Sequence, residues 1–180
     1  MGKEKYFIIP VLIGILILAA GCYGTTTTPP VSKNEQGQRL IKAGNYDQAI
    51  DIFNSILTTS PNDASTLANR GIAYYYKGNF VQAISDLTFA IEFNPRLSSA
   101  YYYRGLAYST DGGFSLAIAD FTKMIELEPT NSTAYFLRAN MYSQWNKPEL
   151  GIPDLQKVVE LNNNADLVQQ AQSMLKGLGQ

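Results

Sequence analysis

The sequence predicts an all-α protein, an array of helical hairpins stacked in file. Three observations carry this. The chain aligns with itself at an offset of 34 residues without a gap. Small residues recur at two positions of each unit, with a bulky apolar residue three or four places on. Glycine, asparagine and proline punctuate each unit twice, once at its middle and once at its end.

The elements follow in order. Residues 7–20, FIIPVLIGILILAA, carry no charged or polar side chain and follow Lys3-Glu4-Lys5. That run has the length of a signal-peptide apolar core and is short for a membrane span. It ends in Leu18-Ala19-Ala20-Gly21-Cys22, and small residues before a cysteine at this place resemble the lipobox of bacterial-type lipoproteins. The resemblance implies that residues 1–21 are a signal peptide, that Cys22 becomes the lipidated first residue, and that the protein sits outside the cytoplasm on a membrane. Two or three acyl chains make a stable anchor where one would not. Ala19 stands where that family usually has leucine, with Leu18 one place back. An uncleaved signal anchor with an idle Cys22 thiol is the competing reading, and ordinary cleavage a third. After the cysteine, YGTTTTPPVS (residues 23–32) is small, polar and proline-containing. With Cys22 it reads as a lipidated flexible tether, 22–32, reaching at most roughly 30 Å.

From residue 33 the period takes over. Ala49, Ala83 and Ala117 align with Gly151; Ile50, Ile84, Ile118 and Ile152 form an unbroken column; Pro61, Pro95 and Pro129 form another. The first unit, 33–63, has a degenerate opening helix that keeps Gly37 and Leu40, and a regular second helix with Ala49, Phe53 and Ile56. The second, 64–97, has Leu67, Gly71, Tyr74, Ala83, Leu87, Ala90 and Pro95. The third, 98–131, repeats this with Tyr101, Gly105, Tyr108, Ala117, Phe121, Met124 and Pro129. The fourth, 132–165, has Tyr135, Ala139, Tyr142, Gly151, Leu155 and Val158, with Asn163 in place of the closing proline. Mid-unit breaks fall at Gly44-Asn45, Gly78-Asn79, Gly112-Gly113 and Asn146-Lys147-Pro148. Glycine ends the first helix, and asparagine or proline is expected to start the second. Residues 166–180 hold a last helical pattern (Leu167, Val168, Ala171, Met174, Leu175) that is expected to cap the array.

Four such units in phase resemble the tetratricopeptide repeat family. The resemblance implies a right-handed α-solenoid of four helix-turn-helix units plus a C-terminal capping helix, with a concave groove that holds peptides or helices of other proteins. Tyr75, Tyr76, Tyr102, Tyr103, Phe136 and Asn69 fall at or near the groove-facing positions and are the candidate partner-binding residues. Their alternative is packing on neighbouring helices or cover from the chain's own ends. The repeat-packing positions hold Tyr74, Tyr101, Tyr108, Tyr135 and Tyr142. A subfamily grips C-terminal carboxylates with lysine, arginine and asparagine. Here those places carry Asn34, Gln38, Asn69, Ser99 and Tyr103, so only Asn69 matches and chaperone tails are not expected partners.

Arg70, Arg104 and Arg138 recur in register, each followed 16 residues later by Asp86, Asp120 and Asp154. The first unit lacks both members, having Gln36 and Ile52 instead. Their joint presence and joint absence point to structural Arg–Asp pairs, within a unit or between neighbours, rather than an anion-binding ladder.

Composition narrows function further. The chain has no histidine and one cysteine, which removes the commonest general base and the commonest zinc ligands. Beyond residue 21 it carries 12 Lys and Arg against 14 Asp and Glu, so neither nucleic acid nor an anionic surface is an expected main partner. Asn131-Ser132-Thr133 fits a glycosylation triplet but sits where asparagine caps a helix. Glu92, Glu126, Glu128 and Glu160 read as solvated charges. The expectation is a membrane-tethered scaffold without catalysis, cofactor or metal, binding another protein in its groove and serving envelope assembly or secretion. Self-association is the alternative.

Overall fold

The structure, a computed structural model, describes residues 31–180. Cys22, the signal segment and most of the tether lie outside the described residues. Among the described residues nine α-helices follow one another: α1 Lys33–Lys42, α2 Tyr46–Leu57, α3 Ala64–Tyr76, α4 Phe80–Phe93, α5 Ser98–Thr110, α6 Phe114–Leu127, α7 Ser132–Gln144, α8 Ile152–Leu161 and α9 Ala165–Gly177. A 3-10 turn, Pro148–Gly151, leads into α8. The first eight helices pair as antiparallel hairpins, stack as a right-handed solenoid and end against α9. None of the described helices is long and apolar enough to cross a membrane.

Each hairpin turns by one backbone device. Gly44, Gly78, Gly112 and Asn146, spaced 34 apart, all have positive φ, from 57° to 84°. The turn residue's N–H reaches a carbonyl three residues back, and the next N–H reaches one five back: Gly78 N to Tyr75 O and Asn79 N to Tyr74 O are both 2.9 Å. This is the double bond of a glycine-ended helix, which satisfies carbonyls left over at the helix terminus. Asn45 and Asn79 therefore serve through their backbone N–H. They stand at the N-caps of α2 and α4, where asparagine was expected, but their side chains make no capping bond. Side-chain caps instead open α1, α3, α7 and α9, through Ser32, Asp63, Asn131 and Asn164. Ser32 and Glu35 form a reciprocal capping box, so the last residue assigned to the tether belongs to the fold.

The hairpins close on small-against-large contacts. Gly71 leaves no room for a side chain: a Cβ there would lie 2.8 Å from Leu87, and one at Gly105 would lie 2.8 Å from the Phe121 ring. Gly37 meets Phe53 in the same way, so the helix read as degenerate packs as the others do. Unit four exchanges the two small residues. Ala139 takes the glycine position and Gly151 the alanine position, and a Cβ on Gly151 would sit 3.0 Å from Ala139 Cα. One methyl at that crossing is tolerated; two are not.

The core runs as a file of clusters, each closed by the first helix of the next unit. Leu67, Ala83, Leu87 and Ala90 are covered by Ala100 of α5, while Tyr101, Ala117, Phe121 and Met124 are covered by Ala134 of α7. At the end of the file, Ala171 of α9 seals Phe136, Leu155 and Val158. That is the capping role expected of the last helix.

A tyrosine-walled groove as the candidate functional site

The first helices of the hairpins bring aromatic rings together along the concave side. Tyr75 and Tyr76 end α3, and Tyr102 and Tyr103 lie in the first turns of α5. Tyr76 meets Tyr103 edge-on with centroids 5.7 Å apart, and their hydroxyls are 2.9 Å apart. Tyr75 touches both Tyr76 and Tyr103 at 5.5 Å, and Tyr102 stands against Tyr103 at 4.9 Å. Edge-to-face contacts of this kind hold rings in fixed orientation. Burial pushes the Tyr75, Tyr102 and Tyr103 phenols above the ordinary tyrosine range, and the Tyr76 hydroxyl adds to the effect on Tyr103. These three phenols stay neutral well above physiological pH.

One ring was missed in the sequence. Tyr46, at the start of α2, stacks almost parallel on Tyr76 at 5.8 Å and 11°. It heads a column, Tyr46, Phe80, Phe114 and Pro148, spaced by the 34-residue period, and that column was the available signal. With Gln38, Ile41, Lys42, Asn69, Ile72, Tyr76 and Tyr103, Tyr46 lines a hollow of about 610 Å³. Tyr103 divides it from a second, about 370 Å³, whose wall includes Ser98, Ser99, Tyr102, Glu128 and Thr133.

Two candidate residues sit differently from expectation. Phe136 is not on the open wall. It is only 9% exposed and belongs to the core cluster that α9 seals. The repeat pattern aims it at the groove, but the capping helix takes that space. Asn69 is partly exposed and tied into an amide chain, donating to Asn34 Oδ1 and accepting from Gln38 Nε2, both at 3.3 Å. Three of the five places of the carboxylate grip are thus occupied by uncharged amides bonded to one another.

The Arg–Asp pairs lie away from the groove, inside the stack. Arg104 donates Nε and Nη2 to the two carboxylate oxygens of Asp120 at 3.0 and 2.7 Å, and its Nη1 to Thr88 Oγ1 of the preceding unit at 3.1 Å. Thr88 passes a hydrogen bond on to the Ile84 carbonyl at 2.7 Å. Arg138 does the same with Asp154 and Thr122, and Arg70 with Asp86 and Asn54. Each guanidinium therefore clamps its own hairpin with two donors and the previous one with a third. Asn54, Thr88 and Thr122 also escaped notice, though they are spaced by the same 34 residues. Their signal was the recurrence of a short acceptor in register. Burial raises the Asp120 carboxyl against the pull of Arg104. No group of His, Cys, Asp or Glu among the described residues has the makings of a metal site.

The tetratricopeptide repeat pattern matches residues 34–87, 68–132 and 132–164. No curated protein sequence matches the chain. Among solved structures, the chain is similar to MamA at 23% identity and a TM-score of 0.71, over 79% of this chain and 84% of that one. It is similar to TTC0263, a thermophilic repeat protein of Thermus thermophilus, at 21% identity and 0.67, over 79% of each. The first repeat domain of Spaghetti (RPAP3), bound to the HSP90 peptide SRMEEVD, is 29% identical with a TM-score of 0.61, over 63% of this chain and 90% of that one. Fold, period and matched residues agree: the chain belongs to the tetratricopeptide repeat family.

Proposed function

We propose that this protein is a non-catalytic scaffold that holds a segment of another protein against the tyrosine wall of its concave groove. The observation that carries the reading is the cluster of Tyr46, Tyr76, Tyr102 and Tyr103, rigidly packed yet still open to solvent, with Tyr76 47% exposed. Tyrosine offers large contact area at low entropy cost, which is what a recognition surface requires. Similarity to a repeat domain that holds a peptide supports the same use of the groove. The test is crosslinking capture from membranes, comparing the natural chain with Tyr75→Ala/Tyr102→Ala. Loss of a partner in the variant supports the reading; identical partners in both remove it.

The proposal includes a tether. The run Leu18-Ala19-Ala20-Gly21-Cys22, by its resemblance to a lipobox, supports a lipid on Cys22 and a place outside the cytoplasm. Intact mass of the mature protein tests it: a diacylglyceryl increment on a chain beginning at Cys22 is expected, and an unmodified full-length mass refutes it.

Self-association is a second reading with its own observation. A cleft of about 590 Å³ at the turn edge is lined by Phe80, Val81, Ile84, Tyr108 and Leu116, with Val81 77% and Leu116 51% exposed. Phe89 and Phe93 add exposed apolar area on α4. Sedimentation at two concentrations decides: a mass that rises with concentration supports it, and a constant monomer rules it out.

A further inference from the structure

We infer that the edge carrying the last three hairpin turns rests on the lipid bilayer, with its exposed aliphatic side chains and Trp145 entering the boundary between headgroups and acyl chains. The inference rests on the proposed tether and adds which side of the molecule that tether turns to the membrane. Position comes first. Val81 stands in the first turn of α4 and Leu116 in the first turn of α6, while Leu150, one period after Leu116, stands in the 3-10 turn before α8. Helical side chains lean toward the N-terminus of their helix, so residues in these opening turns project past the hairpin tips. Val81 is 77% exposed, and Leu116 and Leu150 are 51% exposed. The first hairpin has Asp47 and Gln48 at the places of Val81 and Leu116, so the apolar edge begins at the second turn.

Residue types at this edge fit a bilayer. The apolar side chains sit singly on separate tips divided by polar residues; a fluid surface admits each one, whereas a protein partner would need a matching recess for each. The chain's one tryptophan, Trp145, ends α7 at the same edge, 40% exposed, with the Lys147 ammonium 3.5 Å above its ring. An indole beside a lysine suits the boundary where acyl chains meet water, the lysine stem reaching back to the headgroups. Segments 76–82, 110–116 and 144–150 carry Lys77 and Lys147 against Asp111 and Glu149, so the contact is apolar and does not require anionic lipid. Reach allows the orientation. The tether joins α1 at the opposite edge, through Ser32, and α4, one of the longest helices, rises about 21 Å over its 14 residues. A tether of roughly 30 Å spans that height. Because the tether makes the contact intramolecular, an edge too small to hold free protein on a vesicle suffices to orient a tethered one.

Trp145 fluorescence reads the contact directly, because no other tryptophan contributes. The full chain as cells produce it is reconstituted into phosphatidylcholine vesicles, with plain or with brominated acyl chains; bromine quenches only an indole that it nearly touches. Trp145 is expected to lose most of its emission in the brominated vesicles, and to lose as much when phosphatidylglycerol is included. Leu116→Asn/Leu150→Asn is expected to float with the vesicles as the natural chain does, yet to escape quenching. Both side chains are half exposed, so the core is untouched; unchanged helicity by circular dichroism verifies this, and Val81→Asn serves as a second variant with partial loss of quenching. A chain that floats but is not quenched overturns the inference and leaves the tether standing. A chain that does not float removes the tether and the inference with it. Equal quenching in the double variant also overturns it, as does a Trp145 emission that shifts with protein concentration in detergent, which would put a second copy on this edge.

Discussion

Replacing Arg104 by methionine should cost far more stability than its place on a helix suggests. The side chain is 17% exposed and its partner Asp120 only 5%. Removing the guanidinium leaves a buried carboxylate without either of its charged donors, and Thr88 without its own. Stranding one member of a buried pair costs about 3–5 kcal/mol. For a unit of this size 1 kcal/mol corresponds to roughly 2–4 °C, so a fall of about 6–20 °C in the melting temperature is expected. Arg104→Met/Asp120→Leu removes both charges and fills the space with apolar atoms, which is often close to neutral. The double variant is therefore expected to melt well above Arg104→Met. Urea and thermal unfolding followed by helical circular dichroism on the four chains of the cycle read the coupling. Additivity of the two single changes to within about 0.5 kcal/mol would show that the pair is decoration and refute the clamp.

Other predictions follow from separate contacts. Gly151→Ala should destabilise by about 1–3 kcal/mol because its methyl would lie 3.0, 3.1 and 3.2 Å from Ala139 Cα, O and Cβ, and Ala139→Gly in the same chain, which removes only the last of these contacts, should recover part of the loss; urea midpoints check the exchange. Ending the chain after Leu161 removes α9 and uncovers Phe136, Leu155 and Val158, each worth about 1.5–3 kcal/mol of burial; light scattering should report aggregation or loss of cooperative unfolding. Alkaline titration should show tyrosines that resist ionisation. Folding raises the pKa values of Tyr75, Tyr102 and Tyr103, so the stability they contribute is complete below the ordinary tyrosine value of about 10 and is lost as pH rises through the raised values. Absorbance at the phenolate band should lag that of the unfolded chain, and Tyr103→Phe should remove its last phase.

How much of this was legible follows from what a period records. Gly71 over Leu87 and Gly105 over Phe121 are contacts inside one hairpin, and the 34-residue columns display them directly. The Arg–Asp pairs were legible for the same reason, because both members disappear together in the first unit. Phe136 was not, since its burial depends on α9, which lies beyond the repeat and enters no column. Asn45 and Asn79 did mark the helix starts, but the absence of a side-chain capping bond was not legible, because asparagine serves both caps and tight turns. Tyr46 and the Thr88 and Thr122 acceptors were columns without a strong residue type, visible only once their partners are in place.

The most direct test of the groove places a photoreactive phenylalanine at position 76, on the wall, and in a second chain at position 93, on the exposed side of α4. Illumination in cells is expected to join a distinct partner protein to the chain carrying the probe at 76 and nothing specific at 93. Crosslinking confined to position 93, or products at both positions consisting only of this chain joined to itself, would contradict the account.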